Sequence, residues 1–207
     1  MFEPKYIGLY KTGELCERIE KARKSLHERQ ICPRRCRVNR LENKLGVCKV
    51  GKSTKISSYY PHIGEESPLV GTHGSGTIFI ASCNLGCVFC QNYDISHLAE
   101  GYEVSCERFA QMMVELQDMG CHNINFVTPT HVVSHILEAL SIAISKGLHI
   151  PLVYNTGGHD LVETLQLLEG VFDIYMPDFK FSDGDVAAKW CKAGDYPQVA
   201  MKAIRIL

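Results

Sequence analysis

The sequence predicts an α/β fold with a mainly parallel sheet. From residue 77 onward, short apolar runs rich in β-branched residues alternate with helical segments of ten to fifteen residues. This alternation is typical of βαβ units. Polar or metal-binding residues follow each apolar run, at the carboxyl ends of the strands where such sheets bind ligands. The pattern alone leaves open whether the sheet is a barrel or an open doubly wound sheet.

Four strands are predicted in this region, over residues 77–82, 123–128, 150–156 and 172–180. Helices are predicted over residues 105–119, 131–145 and 160–169, with a last helix that begins near residue 183. Ser105 is a candidate N-cap for the first of these helices, and Gly120 follows its last turn. Each strand forms one βα unit with the helix that follows it.

The N-terminal third of the chain has a different pattern. Apolar residues at helical spacing predict an amphipathic helix over about residues 13–27. A cysteine-bearing segment follows at about residues 32–51, and a stretch rich in turn residues occupies residues 57–76. The sequence therefore predicts an N-terminal helical and cysteine-bearing segment over residues 1–70 and a main domain over residues 71–207.

The composition of the chain indicates its cellular location and the chemistry of its cysteines. No stretch approaches the roughly 20 apolar residues that cross a bilayer, and the N-terminus lacks a signal-like apolar run. Ten cysteines in such a chain indicate metal or redox chemistry rather than disulfides. We therefore expect a cytoplasmic protein that does not bind membranes.

Three cysteines follow the first predicted strand with the spacing C-x₃-C-x₂-C. They are Cys83, Cys87 and Cys90. Thiolates are the usual ligands of iron–sulfur clusters, and three of them leave one iron of a 4Fe–4S cluster open to another ligand. The alternative is a structural zinc site, although zinc sites usually use two C-x₂-C or Cys/His pairs. The nearest histidine, His97, is seven residues beyond Cys90.

This motif, with the aromatic Phe89 before its last cysteine, resembles the radical S-adenosylmethionine (SAM) superfamily. Residues 74–92, GSGTIFIASCNLGCVFCQN, and the earlier CPRRCRVNR are similar to the branch related to pyruvate formate-lyase activating enzymes, in particular its uncharacterised iron–sulfur members. The resemblance runs from about Arg29 to the end of the chain. It implies a partial (β/α) barrel of six βα units, so a chain with four is expected to be truncated.

The resemblance also implies cofactors and a reaction. A 4Fe–4S cluster would be held by the three cysteines and SAM by its open iron. Reductive cleavage of SAM would give methionine and a 5′-deoxyadenosyl radical that abstracts a hydrogen atom from a substrate. Reduced flavodoxin or ferredoxin would donate the electron, and in the activating branch the substrate is a partner protein. The alternatives are a cluster-binding or electron-transfer protein without SAM cleavage and a zinc-organised interaction module; a nucleic-acid partner is not expected.

Candidate SAM contacts follow from the same resemblance. Thr128-Pro129-Thr130 stands where the superfamily carries a Gly-Gly-Glu-type segment that holds the amino group of SAM, although the Glu is missing here. Met176-x-Asp-x-Lys is similar to a segment of the activating enzymes near SAM. The full set of candidate contacts is Phe89, Thr128, Thr130, Asn155, Thr156, Asp178 and Lys180. An ordinary strand–helix turn and a surface Asp178–Lys180 ion pair are the simpler interpretations.

A second cysteine group lies near the N-terminus, at Cys32, Cys36 and Cys48. These cysteines could hold zinc or an auxiliary cluster, or they could be reduced structural residues. Related proteins often carry another cysteine three residues before the Cys-Pro, a position that Arg29 occupies here.

Overall fold

The structure is a computed structural model that describes residues 2–28 and 30–207. Within this part of the chain, six strands form one sheet. They are β1 (Thr54–His62), β2 (Ser75–Ile80), β3 (Tyr102–Val104), β4 (Ile124–Val127), β5 (Leu152–Thr156) and β6 (Ile174–Pro177). The order across the sheet is β3-β1-β2-β4-β5-β6. Strands β2, β4, β5 and β6 are parallel, whereas β1 runs antiparallel to both of its neighbours.

The described residues also form nine α-helices and two short 3₁₀ turns. The helices are α1 (Lys5–Thr12), α2 (Glu14–Lys24), α3 (Ser67–Val70), α4 (Tyr93–Ser96), α5 (Cys106–Asp118), α6 (Val133–Ser145), α7 (Val162–Leu167), α8 (Gly184–Cys191) and α9 (Tyr196–Ile204). The 3₁₀ turns are Arg40–Glu42 and Thr130–Val132. None of these helices is long and apolar enough to cross a bilayer.

The mixed α/β architecture and the four parallel strands confirm the prediction for the region after residue 77. Ser105 is the N-cap of α5, since its Oγ accepts a hydrogen bond from the Arg108 amide at 3.2 Å. Asp183 caps α8 in the same way. Strand β6 ends at Pro177 rather than at residue 180, and the next amide, that of Asp178, still donates to the Thr156 carbonyl at 2.9 Å. The arrangement is compatible with a partial (β/α) barrel.

Strand β1 was not predicted, because residues 57–76 were interpreted as irregular. Two serines and Pro61 in this stretch argue against a strand by local preference. In the structure, β3 pairs only with residues 54–56, so Pro61 lies where the outer side of β1 has no neighbouring strand. On its other side Pro61 is opposite Gly76 of β2. Pairing with β2 therefore outweighs a weak local preference.

Residues on both sides of position 70 contribute to one sheet and one hydrophobic core. Strand β1 pairs with β2 across that position. Helices α1 and α2 lie against α6, and Tyr6 and Leu15 belong to the same buried cluster as Phe126 and Leu137. The Tyr6 hydroxyl donates to the Ile150 carbonyl at 2.8 Å. The helices and the strand that precede position 70 thus pack against the elements that follow it.

Candidate functional site

A cavity of about 500 Å³ opens at the carboxyl ends of the parallel strands. This volume lies within the range of pockets that hold small ligands and cofactors. The predicted site residues that line the cavity are Cys83, Cys87, Phe89, Cys90, Thr128, Asn155, Thr156, Asp178 and Lys180. The structure therefore brings together every predicted site residue except Thr130.

The cysteine loop forms one wall of this cavity. Cys87 is buried, whereas Cys83 and Cys90 are partly exposed. The loop turns tightly, because the Cys90 amide donates to the Cys87 carbonyl at 3.1 Å and the Leu85 amide donates to Cys83 Sγ at 3.3 Å. Gly86 has a φ of +66°, a conformation that glycine adopts at little cost. Three thiols thus face one space from a single short loop.

Burial keeps two of these thiols, Cys83 and Cys87, protonated when no metal is bound. It raises the pKa of Cys83 to about 11 and that of Cys87 to about 12. Cys191 Sγ lies 3.2 Å from Cys87 Sγ, so a second buried thiol is in contact with this cysteine. Metal ligation requires the thiolate, so cluster binding would release protons from this loop.

Two strand ends in the cavity wall have unusual backbone geometry. Ser82, just after β2, has a φ of +74°, and Thr128, just after β4, has a φ of +61°. Left-handed conformations are uncommon for non-glycine residues and are most unfavourable for β-branched ones such as threonine. Such strain is concentrated at functional sites, where the surrounding structure maintains it. The Ser82 hydroxyl is buried and has no hydrogen-bond partner within the described chain.

Thr130 lies behind the cavity wall rather than in it. Its hydroxyl donates to the Asp160 carboxylate at 2.7 Å. Tyr154 and Thr156 donate to the same carboxylate at 2.8 and 2.5 Å. Asp160 is 1% exposed, and burial raises its pKa while the three hydroxyl donors oppose that shift. This buried network fixes Thr156, which does line the cavity.

The part of the cavity wall that follows β6 carries an ion pair. Lys180 Nζ lies 2.5 Å from Asp178 Oδ2, as the simpler sequence interpretation expected, and both residues line the cavity. Burial alone would lower the pKa of Lys180, but its hydrogen bond to Asp178 outweighs burial and raises the pKa. Lys180 therefore stays cationic at neutral pH and faces the cavity with its partner.

The Tyr196 hydroxyl hydrogen-bonds to three backbone groups of this wall. It accepts a hydrogen bond from the Lys180 amide at 2.8 Å, and it lies 2.9 Å from the Gly157 carbonyl and 3.0 Å from the Asp178 carbonyl. Burial raises the pKa of Tyr196 to about 12, so the hydroxyl remains a donor at neutral pH. One side chain thus joins the segments that follow β5 and β6.

We expect the Tyr196→Phe variant to lose about 2 kcal/mol of unfolding free energy, because three part-buried hydrogen bonds, to one backbone amide and two backbone carbonyls, would be lost. Urea denaturation of the chain measures this loss. Tyr10→Phe, on an exposed part of α1, is the matched control and should leave stability unchanged. A Tyr196→Phe chain as stable as the wild type would contradict the bridging role.

The second cysteine group lies in the N-terminal segment. Cys32 and Cys48 are buried and Cys36 is partly exposed. Cys48 Sγ accepts a hydrogen bond from buried Arg40 at 3.0 Å. Residue 29, where related proteins often carry a further cysteine, lies outside the described residues. A second metal at these cysteines stays a prediction.

Single-ion coordination is not preformed at either cysteine group. Within residues 2–28 and 30–207, no three His, Cys, Asp or Glu side chains converge as ligands of one metal ion would. A 4Fe–4S cluster distributes its thiolate ligands over several irons, so its ligands stand farther apart than those of one ion.

Several residues of the site were not predicted. His62 and Glu65 line the cavity from β1 and the turn after it, a region that was interpreted as irregular. Asp160 lies one residue beyond the segment singled out after the third strand, and Tyr196 follows a helix with no recognisable motif. No local sequence signal marks the Asp160 carboxylate, since only the fold brings its three hydroxyl partners together.

Comparison with known proteins addresses the family. The sequence model described as the radical SAM superfamily matches residues 77–207, which hold the cysteine loop and strands β4 to β6. The chain is also 35% identical over 188 residues to the uncharacterized protein MJ0674 of Methanocaldococcus jannaschii. That alignment covers 86% of this chain and 53% of the relative, so the chain spans about half of the relative's length. Members of the matched family generally bind a 4Fe–4S cluster and SAM. The chain belongs to the radical SAM superfamily.

Proposed function

We propose that the chain is a radical SAM enzyme that holds a 4Fe–4S cluster through Cys83, Cys87 and Cys90 and binds SAM in the adjoining cavity. The observation that carries this proposal is the shared cavity: three thiols of one loop face the polar carboxyl ends of three other parallel strands. The donor set fits the cluster, because thiolates are its usual ligands and three of them leave one iron for SAM.

The remaining wall offers groups that complement SAM. Lys180 supplies a cation for a carboxylate, and Asp178 supplies an acceptor for an amino or hydroxyl group. Thr128, Asn155 and Thr156 add polar groups at two strand ends.

Phe89 offers an aromatic surface for a planar ring. It is 57% exposed at the cavity rim and lies edge-on to Phe181, with 5.8 Å between the ring centroids. Thr130 acts indirectly in this proposal, by holding Asp160 beneath Thr156.

When bound and reduced, the cluster supplies the electron for reductive cleavage of SAM to methionine and a 5′-deoxyadenosyl radical. The chain's own residues bind, orient and shield the reactants. Cys83 and Cys87 must lose their protons to ligate iron, and Lys180 keeps its charge beside the loop.

We further propose that the protein belongs to the branch related to pyruvate formate-lyase activating enzymes, on the basis of residues 74–92 and the CPRRC segment. Reduced flavodoxin or ferredoxin would be the electron donor, and a partner protein the substrate. The sequence carries ten cysteines among 207 residues, a content that fits metal or redox chemistry in a reducing compartment such as the cytoplasm.

Electron paramagnetic resonance tests the proposal directly. The chain is reconstituted anaerobically with iron and sulfide, reduced with dithionite, and measured with and without SAM. We expect a reduced-cluster signal that changes when SAM is added, together with methionine and 5′-deoxyadenosine in the reaction mixture. Samples without reductant are the control and should yield neither product.

Two outcomes would contradict the proposal in different ways. A cluster signal that does not change when SAM is added would favour the alternative function, a cluster-binding or electron-transfer protein without SAM cleavage. Failure to assemble any cluster would contradict both the radical SAM function and the cluster-binding alternative.

A further inference from the structure

Arg34 joins the N-terminal cysteine segment to the cluster loop. It follows Cys32 by two residues, and its guanidinium donates to four backbone carbonyls. Two of these belong to the cluster loop: Arg34 Nε lies 2.8 Å from the Asn84 oxygen, and Nη2 lies 2.9 Å from the Leu85 oxygen. The other two are at the end of α8, where Nη2 lies 2.6 Å from the Cys191 oxygen and Nη1 bonds the Lys192 oxygen.

The chemistry of these contacts favours arginine at this position. All four acceptors are neutral carbonyls, and two of them carry the partial negative charge of a helix C-terminus. Hydrogen bonds from a charged donor are about twice as strong as neutral ones. Only the planar guanidinium presents enough fixed donors to reach four carbonyls in two segments, whereas lysine has three donors on one point charge.

The two segments that Arg34 joins touch each other again beside the thiols. The Val88 amide donates to the Trp190 carbonyl at 3.0 Å, and Cys191 Sγ donates to Cys87 Sγ at 3.2 Å. Asn84 and Leu85 lie between Cys83 and Cys87, so fixing their carbonyls fixes the backbone that carries both thiols. Without Arg34, the Asn84 and Leu85 carbonyls would lose their hydrogen bonds to the guanidinium. The two hydrogen bonds between the loop and the end of α8 would remain.

We infer that Arg34 is a positioning residue for the cluster loop, through which the CPRRC segment holds Cys83 and Cys87 in place. This inference rests on the proposed function as far as the cluster is concerned. The hydrogen bonds from Arg34 to the loop, in contrast, do not depend on a bound metal. Arg35 is exposed and adjacent, so it serves as a matched control for charge and position.

Two measurements test this role. In the chain without metal, hydrogen exchange of residues 83–90 and 190–193 should be about tenfold faster in Arg34→Gln and Arg34→Lys than in the wild type, and unchanged in Arg35→Gln. In the reconstituted chain, release of iron to a chelator should also be about tenfold faster in both Arg34 variants than in the wild type. The rate in Arg35→Gln should equal that of the wild type. The melting temperature of each metal-free variant shows whether it is folded at the assay temperature.

The outcomes separate the inference from the proposed function. Failure of the wild type to assemble a cluster would count against the function, and the exchange measurement would still decide the role of Arg34. Unchanged loop exchange in Arg34→Gln would overturn the inference. So would iron release at the wild-type rate, or an Arg34→Lys chain that matches the wild type in both measurements.

Discussion

Replacement of Cys87 by alanine is expected to abolish assembly of the 4Fe–4S cluster, with iron falling from about four atoms per chain to near zero. Cys87 is the central cysteine of the loop and lies buried between Cys83 and Cys90 at the cavity wall. Removal of one of three thiolates leaves two irons without a protein ligand. Iron and sulfide analysis, with the electron paramagnetic resonance spectrum of the reduced sample, measures the loss.

Cys191→Ala provides the matched control for this experiment. Cys191 is also buried, and its sulfur lies only 3.2 Å from that of Cys87, but it is not one of the three loop cysteines. We expect Cys191→Ala to retain a full cluster, since the loop keeps all three thiolates. Equal loss of iron in both variants would mean that the set of ligands is wrong or that Cys191 belongs to it. A full cluster in Cys87→Ala would refute the ligand assignment outright.

The sequence predicted the parallel half of the sheet well because strand and helix periods alternate there. Each apolar run from residue 77 onward corresponds to a strand, and the carboxyl ends of parallel strands meet at one edge. That convergence let residues as distant as Cys83, Asn155 and Lys180 be assigned to one site. The structure places all three around a single cavity.

The sequence could not predict features that depend on side-chain direction or long-range contact. Thr128 and Thr130 are two residues apart, yet Thr128 lines the cavity while Thr130 begins a 3₁₀ turn and faces the buried Asp160. Arg34 reaches carbonyls 50 and 157 residues away in sequence. No local pattern marks such contacts, since they form only when the whole sheet is assembled.

Substitution of Asp160 by alanine is expected to lower the free energy of unfolding by about 3 kcal/mol, because three buried hydroxyls would lose a common acceptor. Those hydroxyls belong to Thr130, Tyr154 and Thr156. The variant should also bind SAM more weakly, since Thr156 is held toward the cavity by this carboxylate. Urea denaturation and SAM titration of the reconstituted chain measure the two effects.

Asp160→Asn separates the loss of hydrogen bonds from the loss of charge. The amide keeps one acceptor oxygen at the same position, so we expect it to retain more stability than Asp160→Ala. The pH dependence gives a second readout. Burial raises the pKa of Asp160 above the value of about 3.9 in an unfolded chain, so the folded state binds the proton more tightly. As pH rises through that interval the unfolded state loses its proton first, and the stability of the wild type relative to Asp160→Asn should fall. A constant difference between the two chains from pH 3 to 7 would show that this carboxyl has the same pKa folded and unfolded, and that its hydroxyl partners fully compensate for burial.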